Sequence, residues 1–227
     1  MATAPTAAPF VPASLDLSTL ESAASGCQGC ELFADATRTV FGRGTAAARV
    51  MLVGEQPGDS EDREGEPFIG PAGRLLDGVL EEAGIDRSAV YVTNAVKHFR
   101  FTTTMDSPRR LHATPSTRHV NACRPWLAAE LAAVAPRYVV ALGATAAKSL
   151  LGPSFRVTQQ HGELLSWPPA AGPFAAATLE TADIAFALAT IHPSAVLRAR
   201  TPEDRDTSRA MMVADLTVLA RAAAADG

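Results

Sequence analysis

The stretch RVMLVGEQPGD, residues 49–59, sets the fold. Val50 to Val53 is apolar without alternation, so it reads as a strand buried on both faces rather than half-exposed. Gly54 closes it, and Glu55-Gln56-Pro57-Gly58-Asp59 follows as a turn-rich polar loop. Three more apolar runs repeat the pattern: Val90–Thr93, Tyr138–Leu142 and Phe186–Ile191. Between them lie segments with helical punctuation. Ser14 caps a predicted helix to Ser25, and Pro71 opens one that runs to about Ala83. Ser116 or Thr117 caps a helix over about Arg118–Ala135, Thr145–Leu151 is a short helix, and a last one runs from about Pro202 to Ala224. Buried strands alternating with helices predict an α/β fold: a four-stranded parallel sheet in a three-layer α/β/α sandwich. The segment 152–183 is rich in Pro, Gly and Ala and is read as loops, with one further strand near Gly162–Ser166.

Composition narrows the class. The 227 residues are 47% hydrophobic and 19% charged, as in a globular chain with one core. Residues 1–12 read as a disordered Ala/Pro-rich tail without a signal-peptide pattern, and residues 13–227 as a single domain. No apolar run is long enough to span a bilayer. Three cysteines, an odd number, argue against a secreted disulfide framework and for a cytoplasmic protein.

In an open α/β sheet, ligands bind beyond the carboxyl ends of the strands. Three predicted strands end there in polar groups: Glu55, Gln56 and Asp59; Asn94; and His192 and Ser194. They predict one shared crevice. Asn94 offers a donor and an acceptor suited to a nucleobase edge. Phe68, in the loop after the first strand, suits either stacking on a flat base or core packing.

The segment from Asn94 to Cys123 runs against the charge of the chain. The net charge is −4, yet Lys97 to Arg124 holds six Lys or Arg and one acid, Asp106. A cationic strip suits a nucleic-acid backbone, because it displaces condensed counterions. A solvated basic loop is the plainer reading. Within it stands Arg109-Arg110-Leu111-His112. Like charge around His112 would favour neutral imidazole, which is a nucleophile. Cys27-Gln28-Gly29-Cys30 is a C-x-x-C pair, and with Cys123 and His98 it makes a Cys₃His set. Such a set suits zinc or an iron–sulfur cluster; a redox dithiol is a further option.

These motifs resemble the iron–sulfur uracil-DNA glycosylases, and within them the UdgX group. The carrying residues are Gly54-Glu-Gln-Pro-Gly58, Pro67-Phe68, Thr93-Asn-Ala-Val-Lys-His98, Arg109-Arg-Leu-His112, Ala122-Cys-Arg-Pro125 and His192-Pro-Ser194, and the likeness extends from about Ser14 to Ala220. The wider family has alanine at the position of Gln56, a fourth cysteine at His98, and no arginine–histidine insertion. One departure is Pro108, where the group's loop carries a lysine; another is Leu111 for an isoleucine.

The resemblance implies a [4Fe-4S] cluster on Cys27, Cys30, His98 and Cys123, with zinc the lesser alternative. It implies a uracil pocket of Gln56, Asp59, Phe68, Asn94 and His192, and DNA contacts from Arg109, Arg110 and Ser194. It implies excision of uracil from DNA, single-stranded by preference, with His192 easing departure of the base. His112, assisted by Glu55, would then attach to C1′ of the sugar. A turnover enzyme using Glu55-activated water, and a non-catalytic reader of damaged DNA, are the alternatives. The expected protein is a monomer of the cytoplasm, associated with the nucleoid, with no membrane contact.

Overall fold

The computed structural model describes residues 4–104, 107–168, 173–174 and 184–226. Four parallel strands form its centre: β1 (Val50–Gly54), β2 (Val90–Asn94), β5 (Tyr138–Leu142) and β7 (Phe186–Thr190). They lie in the order β2-β1-β5-β7, and a short strand β6 (Leu165–Ser166) adds antiparallel to the β7 edge. The parallel core is therefore the four-stranded sheet expected, and the sheet as a whole has five strands. Every residue of β1, β2 and β5 is buried. The even apolar texture of these runs is what two covered faces require.

Side chains alternate between two cores. Met51 and Val53 join Val139 and Ala141 beneath α4 (Thr117–Val134) and α5 (Ala144–Leu151), through Leu127, Leu131 and Ala147. Val50 and Leu52 join Val140 and Leu142 beneath α3 (Pro71–Glu82) and α8 (Pro202–Ala225), through Leu76, Leu80, Met212 and Leu216. A third cluster surrounds the cysteines and includes Leu20 and Ala24 of α1 (Leu17–Ala24), together with Val96 and Trp126. Among the described residues no helix is long and apolar enough to cross a membrane.

Several local expectations change. Helix α1 is capped by Asp16, which accepts from the Thr19 amide at 2.7 Å, and Ser14 instead accepts from the Asp16 amide. Ser116 is the cap of α4. The loop after β1 contains a helix, α2 (Asp59–Glu64), and His192-Pro-Ser opens another, α7 (Pro193–Leu197). A one-turn helix, α6 (Val157–Gln160), lies in the segment read as loops; residues 169–172 and 175–183 of that segment, and 1–3 of the tail, fall outside the described residues. The part of the tail that is described packs on the body: Ala7 is 1% exposed, and its amide donates to Ala122 O at 2.8 Å. Ala7 fits because Gly29, opposite, has no Cβ; one there would sit 2.6 Å from Ala7 Cα.

The largest departure is the basic segment. It forms a β-hairpin, β3 (Phe101–Thr104) paired antiparallel with β4 (Ser107–His112), with Phe101 opposite His112.

Phe68 sits in the left-handed region at φ 59°, a strained setting for a bulky residue. The first turn of α3 packs onto its backbone so closely that a Cβ at Gly73 would lie 1.6 Å from Phe68 O. Gly73→Ala is therefore expected to cost about 1–3 kcal/mol by overpacking, although alanine is ordinarily the better helix former by about 1 kcal/mol. Urea unfolding decides: a variant as stable as the parent, or more so, contradicts the packing.

Candidate functional site

The carboxyl edge of the sheet is knitted by main-chain bonds. Ala95 N donates to Gly54 O, Val96 N to Glu55 O and Gly143 N to Thr190 O, at 2.8–3.0 Å. These bonds extend the β2–β1 and β5–β7 pairings past the strand ends, and the polar residues that follow the strands lie along this edge.

Asn94 ends β2 and is 3% exposed. Its carboxamide lies over Gly54, where a Cβ would come within 2.4 Å of Asn94 Oδ1 and 2.7 Å of Phe68 Cζ. Among the described residues the carboxamide has no hydrogen-bond partner within the protein. The Phe68 ring belongs to the α3-side core, yet it also lies 6.5 Å from the His192 ring and 29° from parallel to it. Core packing of Phe68 is thus observed, with the ring reaching the His192 side of the crevice.

His192 caps α7. Its Nδ1 accepts from the Ser194 amide at 3.1 Å and lies 2.8 Å from Ser194 Oγ. An acceptor nitrogen carries no proton, so in the neutral ring the proton is on Nε2. Burial first, then Arg198 and His112, lower the His192 pKa from 6.5 to about 4. The ring is therefore a neutral donor at neutral pH. Ser194, expected to touch DNA, sets this tautomer.

His112 comes to the site from the hairpin. Its Nε2 lies 3.4 Å from Glu55 Oε1, with the side chain 44% exposed. The other Glu55 oxygen accepts from Thr145 Oγ1 at the start of α5. A carboxylate held at one oxygen and facing an imidazole with the other is an orienting pair of the kind used in catalytic triads. The charge facing His112 is this anion, not the neighbouring arginines that the sequence suggested.

Two bolts hold the hairpin. Gln56 Nε2 donates to Arg100 O and Ala113 O, at 3.0 and 3.2 Å, and its Oε1 accepts from Arg100 N at 3.1 Å. The Gln56 amide thus grips both ends of the hairpin. Asp59 is likewise engaged, with Arg63 and Arg110. Arg110 is no free phosphate contact. Its side chain is 12% exposed and bonds Asp59 at 2.5 Å, Asp62 at 2.6 Å and Thr37 at 3.1 Å, and it lies over the Phe99 and Phe101 rings. Arg109 is exposed. Asp62, Thr145 and Thr37 escaped the sequence reading because nothing in their local sequence marks partners so distant along the chain.

The cysteines lie apart from this edge and belong to one buried cluster. Cys27, Cys30, His98 and Cys123 are each less than 9% exposed. Trp126 Nε1 donates to Cys27 Sγ at 3.2 Å, and Lys97 N donates to Cys123 Sγ at 3.3 Å. Burial pushes the Cys123 thiol up to about 12, with Cys30 and Cys27 adding to it, and burial raises Cys30 as well, with Glu31 and Cys27 adding to it. Burial also lowers His98 to about 4, and its Nε2 is 2.8 Å from Thr39 Oγ1. A cavity of about 150 Å³ opens beside Cys27, Phe33, Thr39 and His98. Among the described residues, no three His, Cys, Asp or Glu side chains close around a single ion. The donor chemistry still suits a thiophilic group. Three buried thiols are costly to ionise alone, two already receive N–H donors, and ligation would supply the missing charge balance.

The uracil DNA glycosylase superfamily model matches residues 41–217. The chain is 37% identical over 142 residues to a type-4 uracil-DNA glycosylase of Thermotoga maritima, covering 62% of this chain and 69% of that protein. It is 35% identical over 150 residues to a type-4 uracil-DNA glycosylase of Pyrobaculum aerophilum, covering 66% and 72%. A type-5 uracil-DNA glycosylase of the same organism is 33% identical over 140 residues, covering 54% and 58%.

The lowered pKa of His192 has a thermodynamic counterpart. As pH falls from 6.5 towards 4, the unfolded chain takes up a proton at His192 that the folded chain refuses, so folding stability falls with pH through that window. Urea unfolding across it is expected to show a smaller loss in His192→Asn than in the parent. Equal losses would mean that His192 is not held neutral by the fold.

Proposed function

Because the chain belongs to the uracil-DNA glycosylase superfamily, we propose that it excises uracil from DNA, preferentially from single strands, and remains attached through His112 to C1′ of the resulting sugar. The observation that carries the reading is the 3.4 Å approach of His112 to Glu55 at the same sheet edge as Asn94 and His192. The excision step itself is supported by the type-4 relatives.

A deoxyuridine inside a stacked duplex is out of reach, so the base enters the edge from a single strand or by flipping. Phe68 offers its ring, and the Asn94 carboxamide, which has no partner among the described residues, offers a donor and an acceptor to the uracil edge. As the C1′–N1 bond breaks, its electron pair moves onto uracil. The Nε2–H of neutral His192 donates to the carbonyl oxygen where that charge gathers. A fixed donor of this kind is worth roughly 3 kcal/mol. A charged His192 would also donate, but holding it neutral avoids a buried cation in the resting site. The sugar cation left behind is met by a lone pair of the His112 imidazole, forming an N–C1′ bond. The ring's proton passes to Glu55, which Thr145 holds in place. The product is an uncharged imidazole bonded to the sugar, the kind of capture that the UdgX resemblance implies.

Arg109 on the exposed hairpin remains the natural phosphate contact, whereas Arg110 keeps the hairpin seated. Cys27, Cys30, His98 and Cys123 would hold an iron–sulfur cluster. Such a cluster would supply cross-linking of α4, the segment after β2 and the segment after α1.

A denaturing gel of protein incubated with uracil-containing single-stranded DNA tests the proposal. The parent is expected to give a slow band stable to heat and detergent. His112→Ala is expected to lose that band while still releasing uracil. Abasic product without any band in the parent would favour turnover with Glu55-activated water.

A further inference from the structure

Behind the edge lies a charged pair that takes no part in the chemistry described above. Lys97 and Glu130 are both 0% exposed and form an ion pair. Lys97 Nζ also donates to Thr93 Oγ1 at 2.6 Å and to Asn94 O at 2.8 Å. Glu130 accepts from Thr93 Oγ1, from the Tyr91 hydroxyl at 3.0 Å and from Gly42 N at 3.0 Å. The Tyr91 phenol is pushed far up, first by burial, and so stays a donor. Gly42 admits no side chain, since a Cβ would lie 2.3 Å from the Tyr91 hydroxyl and 2.4 Å from Glu130 Oε1.

A buried ion pair is weak evidence for stability, because desolvation opposes it; its better-attested use is to specify one arrangement. The arrangement specified here is the end of β2. Thr93 and the Asn94 carbonyl are gripped from within the core, and the Asn94 carboxamide is thereby left facing the crevice. A hydrophobic pair would fill the space but would fix neither group.

We propose that Lys97, braced by Glu130, is a positioning residue that sets the Asn94 carboxamide for the base. The proposal rests on the reading of Asn94 as a base contact. Lys97 never meets the substrate; it acts through Asn94 alone.

The test is a mutant cycle on single-turnover uracil excision. Lys97→Met with Glu130→Gln removes both charges, and glutamine keeps an acceptor for Gly42 N and Tyr91. This double variant is expected to unfold cooperatively and to hold as much iron as the parent, yet to excise about 100-fold more slowly, the cost of a small misplacement. Asn94→Ala should slow the parent strongly and the double variant little further, because partners acting in series are not additive. A folded, iron-replete double variant that excises at the parent rate overturns the proposal, as does full additivity with Asn94→Ala. Loss of iron together with activity also overturns it, since Lys97 then acts through the cysteine pocket. If the double variant does not fold, Glu130→Gln alone carries the same outcomes. Asn94→Ala harmless in the parent would instead refute the base-contact reading, a distinguishable failure.

Discussion

Asp62 is a carboxylate with no exposure to solvent, and its charge has to be answered inside the protein. Two bonds come from the Thr37 amide, each at 3.0 Å, and the balancing cation is Arg110. That cation belongs to the hairpin. The need to neutralise Asp62 therefore fixes where β4 docks and which of its faces turns inward. Residues two apart on a strand share a face, so the placement that buries Arg110 also turns His112 toward the sheet edge. Gln56 closes the base of the same hairpin, which leaves β4 little freedom to slide. A one-residue slip would put Leu111 on the inner face and carry His112 away from Glu55.

Two histidines meet at this edge, and their partners divide the work. The Ser194 amide donates a hydrogen bond to His192 Nδ1 and leaves Nε2–H to donate. Glu55 faces His112 with an oxygen that can accept. One ring is thus a fixed acid-side donor, and the other has a base beside it. In the proposed reaction the two imidazoles take opposite tasks because one is capped by an amide and the other faces a carboxylate.

The sheet was legible in the sequence because a strand covered on both faces leaves an unbroken apolar run. Val50–Val53, Val90–Val92 and Tyr138–Leu142 all announce themselves this way. The convergence of Glu55, Asn94 and His192 followed from parallel topology alone. The hairpin was not legible as one: its arginines drew the reading toward a solvated loop, although Phe101-Thr-Thr-Thr104 carries the β-branched texture of a strand. Arg110 looked like a surface cation because its acids stand 48 and 51 residues away. Gln56 and Asp59 follow a strand end, a place that suits a bound base and equally serves a neighbouring loop, and their side chains bond the hairpin. The buried Lys97–Glu130 pair left no local mark at all, since one member lies within an ordinary amphipathic helix.

The central claim is that the hairpin exists to present His112 to a reacting sugar. Peptide mapping of the protein–DNA product by mass spectrometry addresses it directly. Cleavage after Arg110 and Arg118 isolates Leu111–Arg118, which contains His112 and no other histidine. The account predicts that the sugar remnant is carried by this peptide, with fragment ions placing it on His112. A remnant on any other residue, or an unmodified Leu111–Arg118 in a chain that has excised its uracil, would contradict it.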